Sequence, residues 1–360
     1  MAGPFRWFAV TLALVLGACG IGLAAPAWAC GCGAYIPDGG DAAIATERAL
    51  VAWDGTTEDI VMSFDVTGSS ERAAWIMPVP NAARVSLGDE ALFRALADAT
   101  APRIEHRTNW WPSLDFPSFG LGSAQEAAGA PRGVNVLAQQ RIGPFDVTRL
   151  AAQDAGALAK WLGDNGFPNP DGLHDNLEPY VAQGWELVAI KLAPADDTGE
   201  LTGSLQPLRL SFAADAPVYP MRLSRSATVA QTVDLYVVAD HRMDPSDVPV
   251  PAAAPTLEFA GRIASVADAH PALRPYLERG TYLTQWTNDI ADPSAIVGDY
   301  GFVRADADTD FQQVVYVTKD RGWITTTLIV VAVGAAVMLA LAVVVVRSVL
   351  RRGRRQPLSR

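Results

Sequence analysis

The sequence predicts an α+β body, largely antiparallel sheet with a few helices, followed by one C-terminal transmembrane helix. Three observations predict it. Short apolar runs rich in Val, Ile, Phe and Trp succeed one another with turn residues between them, as consecutive antiparallel strands do. Only a few stretches, Asp89 to Ala99 and Ala155 to Leu162 among them, carry helical spacing. Ile324 to Val346 runs 23 residues without a charge, and as a helix it covers about 34 Å, enough to cross a hydrocarbon core of about 30 Å. With 360 residues, 50% hydrophobic and 19% charged, the chain is neither a disordered acidic tail nor a polytopic membrane protein.

From the N-terminus, Arg6 precedes the apolar stretch Trp7 to Leu16, and a small-residue stretch ends in Ala27-Trp28-Ala29. This pattern predicts a signal peptide over 1–29, with cleavage after Ala29 making Cys30 the first residue. Leu16-Gly17-Ala18-Cys19 also resembles a lipobox, but an apolar run follows Cys19 where a polar tether is usual.

The larger, N-terminal part of the body, residues 30–242, opens with strands at Ala43 to Trp53 and Asp59 to Thr67, joined by a turn at Gly55 to Thr57. In the second, Ile60, Met62, Phe64 and Val66 alternate with Asp59, Val61, Ser63 and Asp65. Ala73 to Met77 reads as a third strand ended by Pro78 and Pro80. In the helix Asp89 to Ala99, Leu92, Phe93 and Leu96 share a face, and acids at its start suit the dipole. Pro112 to Gly133 is a Pro-, Gly- and Ser-rich insert, and Val134 to Arg149 returns to strand pattern. Asp154 is placed to cap a helix over Ala155 to Leu162, stopped by Gly163 and Gly166. A short helix at Leu177 to Ala182 leads to strands at Trp185 to Leu192, Leu208 to Phe212, Val218 to Leu223 and Val233 to Val238.

Residues 243–256 form a proline-rich linker or crossing. The C-terminal part of the body, 257–322, holds a helix at Pro271 to Glu278 and strands at Tyr282 to Thr287 and Phe311 to Thr318. The membrane segment, 323–346, opens on Trp323, whose amphipathic ring suits the headgroup layer, and the tail, 347–360, carries six arginines and no acid. That asymmetry places the tail in the cytoplasm and the body outside it. Seven of the 28 basic residues lie in the leader and tail, leaving 21 against all 39 acids, so residues 30 to 323 carry a formal charge of −18. Nucleic acid and anionic lipid headgroups need clustered Lys and Arg, so nucleic acid is excluded as a partner.

Several stretches together resemble one family. Ala74-Trp75-Ile76-Met77-Pro78-Val79-Pro80, Leu87-Gly88-Asp89-Glu90-Ala91-Leu92-Phe93 and Ala97-Asp98-Ala99-Thr100-Ala101-Pro102-Arg103 are similar to the signature of the bacterial family catalogued as domain of unknown function 2330. Gly143-Pro144-Phe145-Asp146-Val147, Trp161-Leu162-Gly163-Asp164-Asn165-Gly166-Phe167, Leu177-Glu178-Pro179-Tyr180-Val181 and Leu205-Gln206-Pro207-Leu208-Arg209-Leu210 recur in similar order. The resemblance spans roughly residues 30 to 240. It implies an exported, cysteine-started bacterial surface domain, often with a C-terminal anchor, and brings no reaction, ligand or catalytic residue with it.

Candidate sites are few. Cys30 and Cys32 would lie at the mature N-terminus in an oxidising compartment, where they can form a structural disulfide, carry lipid, exchange disulfides or act as nucleophile. A metal site there lacks further ligands, because the histidines at 106, 174, 241 and 270 show no paired spacing. Asp306, Asp308 and Asp310 resemble the opening of a calcium loop, but Phe311 and Val317 stand where that loop needs Gly and Glu. Asp171, His174, Asp175 and Glu178 form a polar cluster able to orient an imidazole. Trp110, Trp111, Phe116 and Phe119 either fold back on the core or present a contact patch to a partner, a lipid or a sugar ring.

No nucleophile elbow, phosphate loop, dinucleotide fingerprint or H-E-x-x-H occurs, and no catalytic residue, cofactor or metal is expected. The expected function is a membrane-anchored extracytoplasmic module that binds or is associated with the envelope. Its partners are the lipid bilayer, through the C-terminal helix, and an envelope protein or ligand. The alternatives are an envelope enzyme, a hydrolase or thiol exchanger using Cys30 or the His174 region, and ligand or metal capture by the acidic face.

Overall fold

The structure is a computed structural model, and it describes residues 29–30, 33–38, 43–111, 140–142, 145–150, 155–193, 199, 201–227, 229–264 and 270–353. The chain divides into two compact units, Met1–Ala101 with Glu126–Gln312 and Pro102–Gln125 with Gln313–Arg360.

In chain order, β1 (Ala29–Cys30) and β2 (Gly33–Pro37) precede a long hairpin of β3 (Ala43–Trp53) and β4 (Thr57–Ser70), then β5 (Ala73–Val79) and β6 (Arg84–Leu87). Helix α1 (Leu92–Ala99), β7 (Arg103–Asn109), β8 (Gln140–Ile142) and β9 (Phe145–Leu150) follow. Helices α2 (Ala155–Asp164) and α3 (Leu173–Ala182) lead into β10 (Glu186–Leu192), β11 (Leu201–Ser204), β12 (Leu208–Ala213) and β13 (Val218–Tyr219). After a 3₁₀ turn at Arg222–Ser226 come β14 (Gln231–Ala239), β15 (Met243–Asp247) and β16 (Thr256–Arg262). A second 3₁₀ turn, Pro271–Tyr276, precedes β17 (Tyr282–Ile290), and a third, Pro293–Ala295, precedes β18 (Tyr300–Arg304). The chain ends in β19 (Phe311–Gln312), β20 (Val314–Asp320) and helix α4 (Gly322–Gly353).

The first unit holds two large sheets. One has the order β1-β2-β5-β10-β9-β8, the other β19-β16-β17-β14-β3-β4-β12-β6 with β11 also beside β4. Every pairing in them is antiparallel except β14 with β3. Between the sheets lies the main core, where Tyr35, Trp75, Met77 and Ile190 from one face Val51, Ile60, Met62 and Leu235 from the other. The opposite face of the first sheet, through Ile36, Ile76 and Ala189, packs on Leu158, Trp161, Leu173, Leu177 and Tyr180 of α2 and α3. The opposite face of the second, through Leu50, Val61, Tyr236 and Leu283, packs on Leu92 and Leu96 of α1 and on Leu273 and Tyr276. The result is four layers, helix, sheet, sheet, helix. It explains why β5 is buried at all seven of its positions and shows no alternation. A short ladder, β13-β18-β15, adds Tyr219, Tyr300 and Phe302 to the main core.

Several local features differ from expectation. Strand β5 runs through Pro78, paired with Leu187; the β2 ladder has already ended at Ile76, so that flank needs no donor from the proline. Helix α1 starts at Leu92, because Asp89 accepts the Ala91 N–H on Oδ1 (2.8 Å) and the Leu92 N–H on its carbonyl (3.1 Å), forming a turn first. Helix α2 passes through Gly163 to Asp164, and Gly166, at φ +76°, follows its end. Helix α3 begins at Leu173, directly after Gly172 at φ +79°. The expected strand Val218 to Leu223 ends at Tyr219 and gives way to a 3₁₀ turn. The expected helix at Pro271 to Glu278 is a 3₁₀ turn with Pro275 inside it, where an α-helix would need the missing N–H. The stretch Phe311 to Thr318 is two strands with different partners, β16 and β7. Residues 243–247 pair with β18, and Val250 packs in the main core. The leader over 1–28 and the insert over 112–133 lie outside the described residues.

In the second unit β7 and β20 form a parallel pair, from Arg103 opposite Val314 to Asn109 opposite Asp320. Asp320 Oδ1 accepts the Gly322 N–H at 2.7 Å, capping α4 at its positive end. Along α4 the hydroxyls of Thr326, Thr327 and Ser348 donate to the carbonyls of Gly322, Trp323 and Val345, so these three hydroxyls are satisfied within the helix. Gly322–Arg351 is long and apolar enough to cross a membrane, and none of its most apolar window is buried against protein.

Candidate functional site

Two adjacent acids on β4 organise the polar interior. Strand alternation sends Glu58 and Asp59 to opposite faces of the sheet. Asp59 is fully buried on the face covered by α1, and its Oδ2 accepts from Arg209 Nη2 and Arg279 Nε, both at 2.8 Å. Burial pushes Asp59 up, but the two guanidinium groups and Ser211 outweigh it and hold the carboxyl below its ordinary range. Arg279 Nη1 also pairs with Asp54. Asp54 further accepts the Thr57 N–H (2.8 Å) and the Thr56 N–H and hydroxyl (2.9 and 2.8 Å), and against the upward push of burial these contacts bring it down to about 2. The Arg209 guanidinium lies 5.2 Å from the Tyr276 ring centroid, and burial pushes that phenol up to about 12.

On the other face Glu58 points into the main core and accepts the Val218 N–H at 3.2 and 3.3 Å, while Glu47 accepts from the Tyr219 hydroxyl. Two carboxyls thus hold β13 from the sheet below it. Burial pushes Glu58 well above the ordinary carboxylate range, the neighbouring Asp59 charge adds to that, and the Val218 N–H opposes it. Because the folded value is raised, the folded chain keeps a proton that the unfolded chain releases above about 4.5. Stability therefore falls as pH rises from there towards the folded value. Glu58→Gln keeps the shape and removes the titration. In urea denaturation it is expected to lose less stability than the parent between pH 5 and 8, and to be the more stable of the two at pH 8.

A third network joins α3 to the turn before β18. The buried Tyr180 hydroxyl donates to Asp299 Oδ1, which also accepts the Met221 N–H at 2.7 Å, and Arg222 Nε reaches Asp299 Oδ2 at 3.0 Å. The described surface also holds a cleft of about 370 Å³ between α1 and the turn Pro271–Tyr276, lined by Asp89, Arg94, Asp98 and His270. With both charge signs and an imidazole, it can hydrogen-bond a small polar group. None of the site residues expected from sequence lines it.

Those residues are scattered. Cys30 ends β1, where it pairs with Gly33, and Cys32 lies outside the described residues. His174 and Asp175 are exposed on α3, 3.6 Å apart, with Asp171 and Glu178 also exposed, so the cluster forms no concave site. Asp308 accepts from His241 Nδ1 (2.9 Å), the Arg242 N–H (3.0 Å) and Arg262 (3.4 Å), and Asp310 accepts from the Tyr282 hydroxyl (3.1 Å). Hydrogen bonds from His241 and then the Arg242 N–H hold Asp308 below its ordinary range. Its oxygens fasten the segment after β14; among the described residues no group of three or more His, Cys, Asp or Glu is placed to hold a metal ion. In the second unit Trp110 is 49% and Trp111 74% exposed, so neither is a core residue; Phe116 and Phe119 lie outside the described residues.

The burial of these acids is not legible from sequence, because Asp59 stands in the polar row of an alternating strand. The signal was Val61 in the same row, together with the apolar face of α1, which needs a sheet face to cover.

Residues 26–303 match the family described as "Uncharacterized protein conserved in bacteria (DUF2330)". No curated protein matches the chain. Among solved structures, that of baculovirus P35 is similar over 76% of this chain and 98% of that one, at 9% identity and a TM-score of 0.32. A likeness so slight carries no argument.

Proposed function

The chain belongs to the DUF2330 family of bacterial proteins, and from that premise we propose that it is a single-pass membrane protein whose body stands outside the cytoplasm. There it acts as a non-catalytic binding or envelope-associated module. The observation that carries this is α4, whose most apolar window is unburied by protein and whose C-terminal end runs into Arg347, Arg351 and the arginines beyond. A helix of that composition left in water would expose a long apolar surface, whereas in a bilayer the same surface is solvated. The arginines favour the cytoplasmic side for the tail, and the leader-like N-terminus favours export of the body.

A binding role draws support from how the buried acids are used. Asp59, Glu58 and Glu47, and with them the half-buried Asp299, are engaged in joining strands and turns. The envelope-enzyme reading keeps one supporting feature, the placement of Cys30 in β1, where cleavage after Ala29 would put an α-amine and a thiol on one residue. The exposed His174 and Asp175 give it none.

The test is alkaline carbonate extraction of bacterial membranes, with protease treatment of spheroplasts carrying a tag after Arg360. The chain is expected to stay with the membrane, and protease is expected to leave a short tagged fragment comprising α4 and the tail. Release by carbonate, or a body that protease spares while the tag is cut, overturns the proposal.

A further inference from the structure

Strands β7 and β20 are parallel and end level with each other, Asn109 opposite Asp320, one residue before the turn into α4. The ladder continues one step further, because the Arg321 N–H donates to the Asn109 carbonyl at 2.8 Å. Asn109 Oδ1 accepts the Trp111 N–H at 3.0 Å, an Asx turn that fixes the chain leaving β7 at that level. The Arg321 guanidinium lies 5.5 Å from the Trp110 ring centroid, within range of a cation–π contact. Trp323 follows in the first turn of α4. Three indoles, 49%, 74% and 70% exposed at Trp110, Trp111 and Trp323, therefore gather at the end of the strand pair where the apolar helix begins.

From this placement we infer that Trp110 and Trp111 are membrane-interface anchors, seated with Trp323 in the headgroup layer of the outer leaflet. The inference rests on the reading of α4 as a membrane span. Indole has an apolar body and one N–H donor, and it concentrates at headgroup depth. Charge agrees with the assignment. On an acidic body, this strand pair and its exit carry Arg103, Arg107, Lys319 and Arg321 against Glu105 and Asp320, the balance that phospholipid phosphates attract. Anchoring by Trp110 and Trp111 gives the chain a second attachment beside the helix, which limits how far the strand pair can swing away from the bilayer.

The test uses the full chain in phosphatidylcholine vesicles and in vesicles brominated on the upper acyl carbons. Emission of the parent minus Trp110→Phe/Trp111→Phe isolates the two strand-end indoles, and the parent minus Trp323→Phe isolates the helix indole. Phenylalanine keeps an aromatic ring at each site, and circular dichroism confirms that the variants fold. Bromine at headgroup-proximal depth is expected to reduce both difference signals by about twofold or more, with aqueous iodide quenching them weakly. Quenching of Trp323 by bromine but of Trp110 and Trp111 by iodide alone overturns the inference and leaves the span intact. Shielding of Trp110 and Trp111 from both quenchers overturns it in favour of a protein contact. If no signal responds to bromine, the span fails and the inference with it.

Discussion

Gly280→Ala is expected to cost about 3 kcal/mol or more, the upper range for forcing extra volume into a packed site. Gly280 is buried between the turn Pro271–Tyr276 and β17, and its α-carbon passes over the last residue of β14. A β-carbon there would sit 2.0 Å from the Ala239 carbonyl carbon and 2.2 Å from its oxygen. Both contacts are with backbone, so no rotamer relieves them. The neighbouring register, Ala239 opposite Tyr282, closes the β14–β17 ladder and pins both sides. Gly55→Ala is the control. Its backbone is at φ +96° and nothing lies near the added carbon, so it is expected to cost only the conformational penalty of about 1–2 kcal/mol. Urea titrations followed by circular dichroism measure both. Equal losses for the two variants would show that the close approach at Ala239 is absent in solution.

Asp59→Ala is the second large effect. It removes the one buried carboxylate that Arg209 and Arg279 share. A fully buried broken pair costs about 3–5 kcal/mol. With about a quarter and a fifth of the two arginine side chains still exposed, 26% and 19%, a loss near ~3 kcal/mol is expected. Asp59→Ala/Arg279→Met leaves fewer orphaned cations, so the double variant is expected to lose less than the sum of the single losses, with a coupling of about 1–3 kcal/mol. The pH dependence has a definite sign. Asp59 lies below its ordinary value in the folded state, so it contributes stability that is present above pH ~4 and lost as pH falls through the folded value. Asp59→Ala is accordingly expected to show a flatter acid limb than the parent, and an additive double variant with an unchanged acid limb would contradict the pairing.

The sequence showed the local elements best where one residue row is apolar. Strands β3, β4 and β10 and helix α1 follow directly from such rows, and α4 from its uninterrupted length. What stayed hidden depends on partners far along the chain. Arg103 to Asn109 has Ile104 as its single aliphatic residue and no alternation, yet it is a strand because Val314 to Asp320 lies beside it. Asp59 looks like a solvent-facing residue until α1 and the turn Pro271–Tyr276 cover it. The placement of Trp110 and Trp111 at the start of α4 has the same origin. Their composition marks them as unusual, but only the level ending of β7 and β20 puts them beside α4.

The parallel pairing of β3 with β14, Thr46 beside Thr232, bears on the tempo of assembly. A nascent chain delivers the β3–β4 hairpin long before the strand that completes its other side. Until then an apolar strand edge stays open, and an open edge recruits foreign strands as readily as its own. Non-local closure of this kind slows folding. The first unit is therefore expected to close more slowly than a protein of sequential hairpins would.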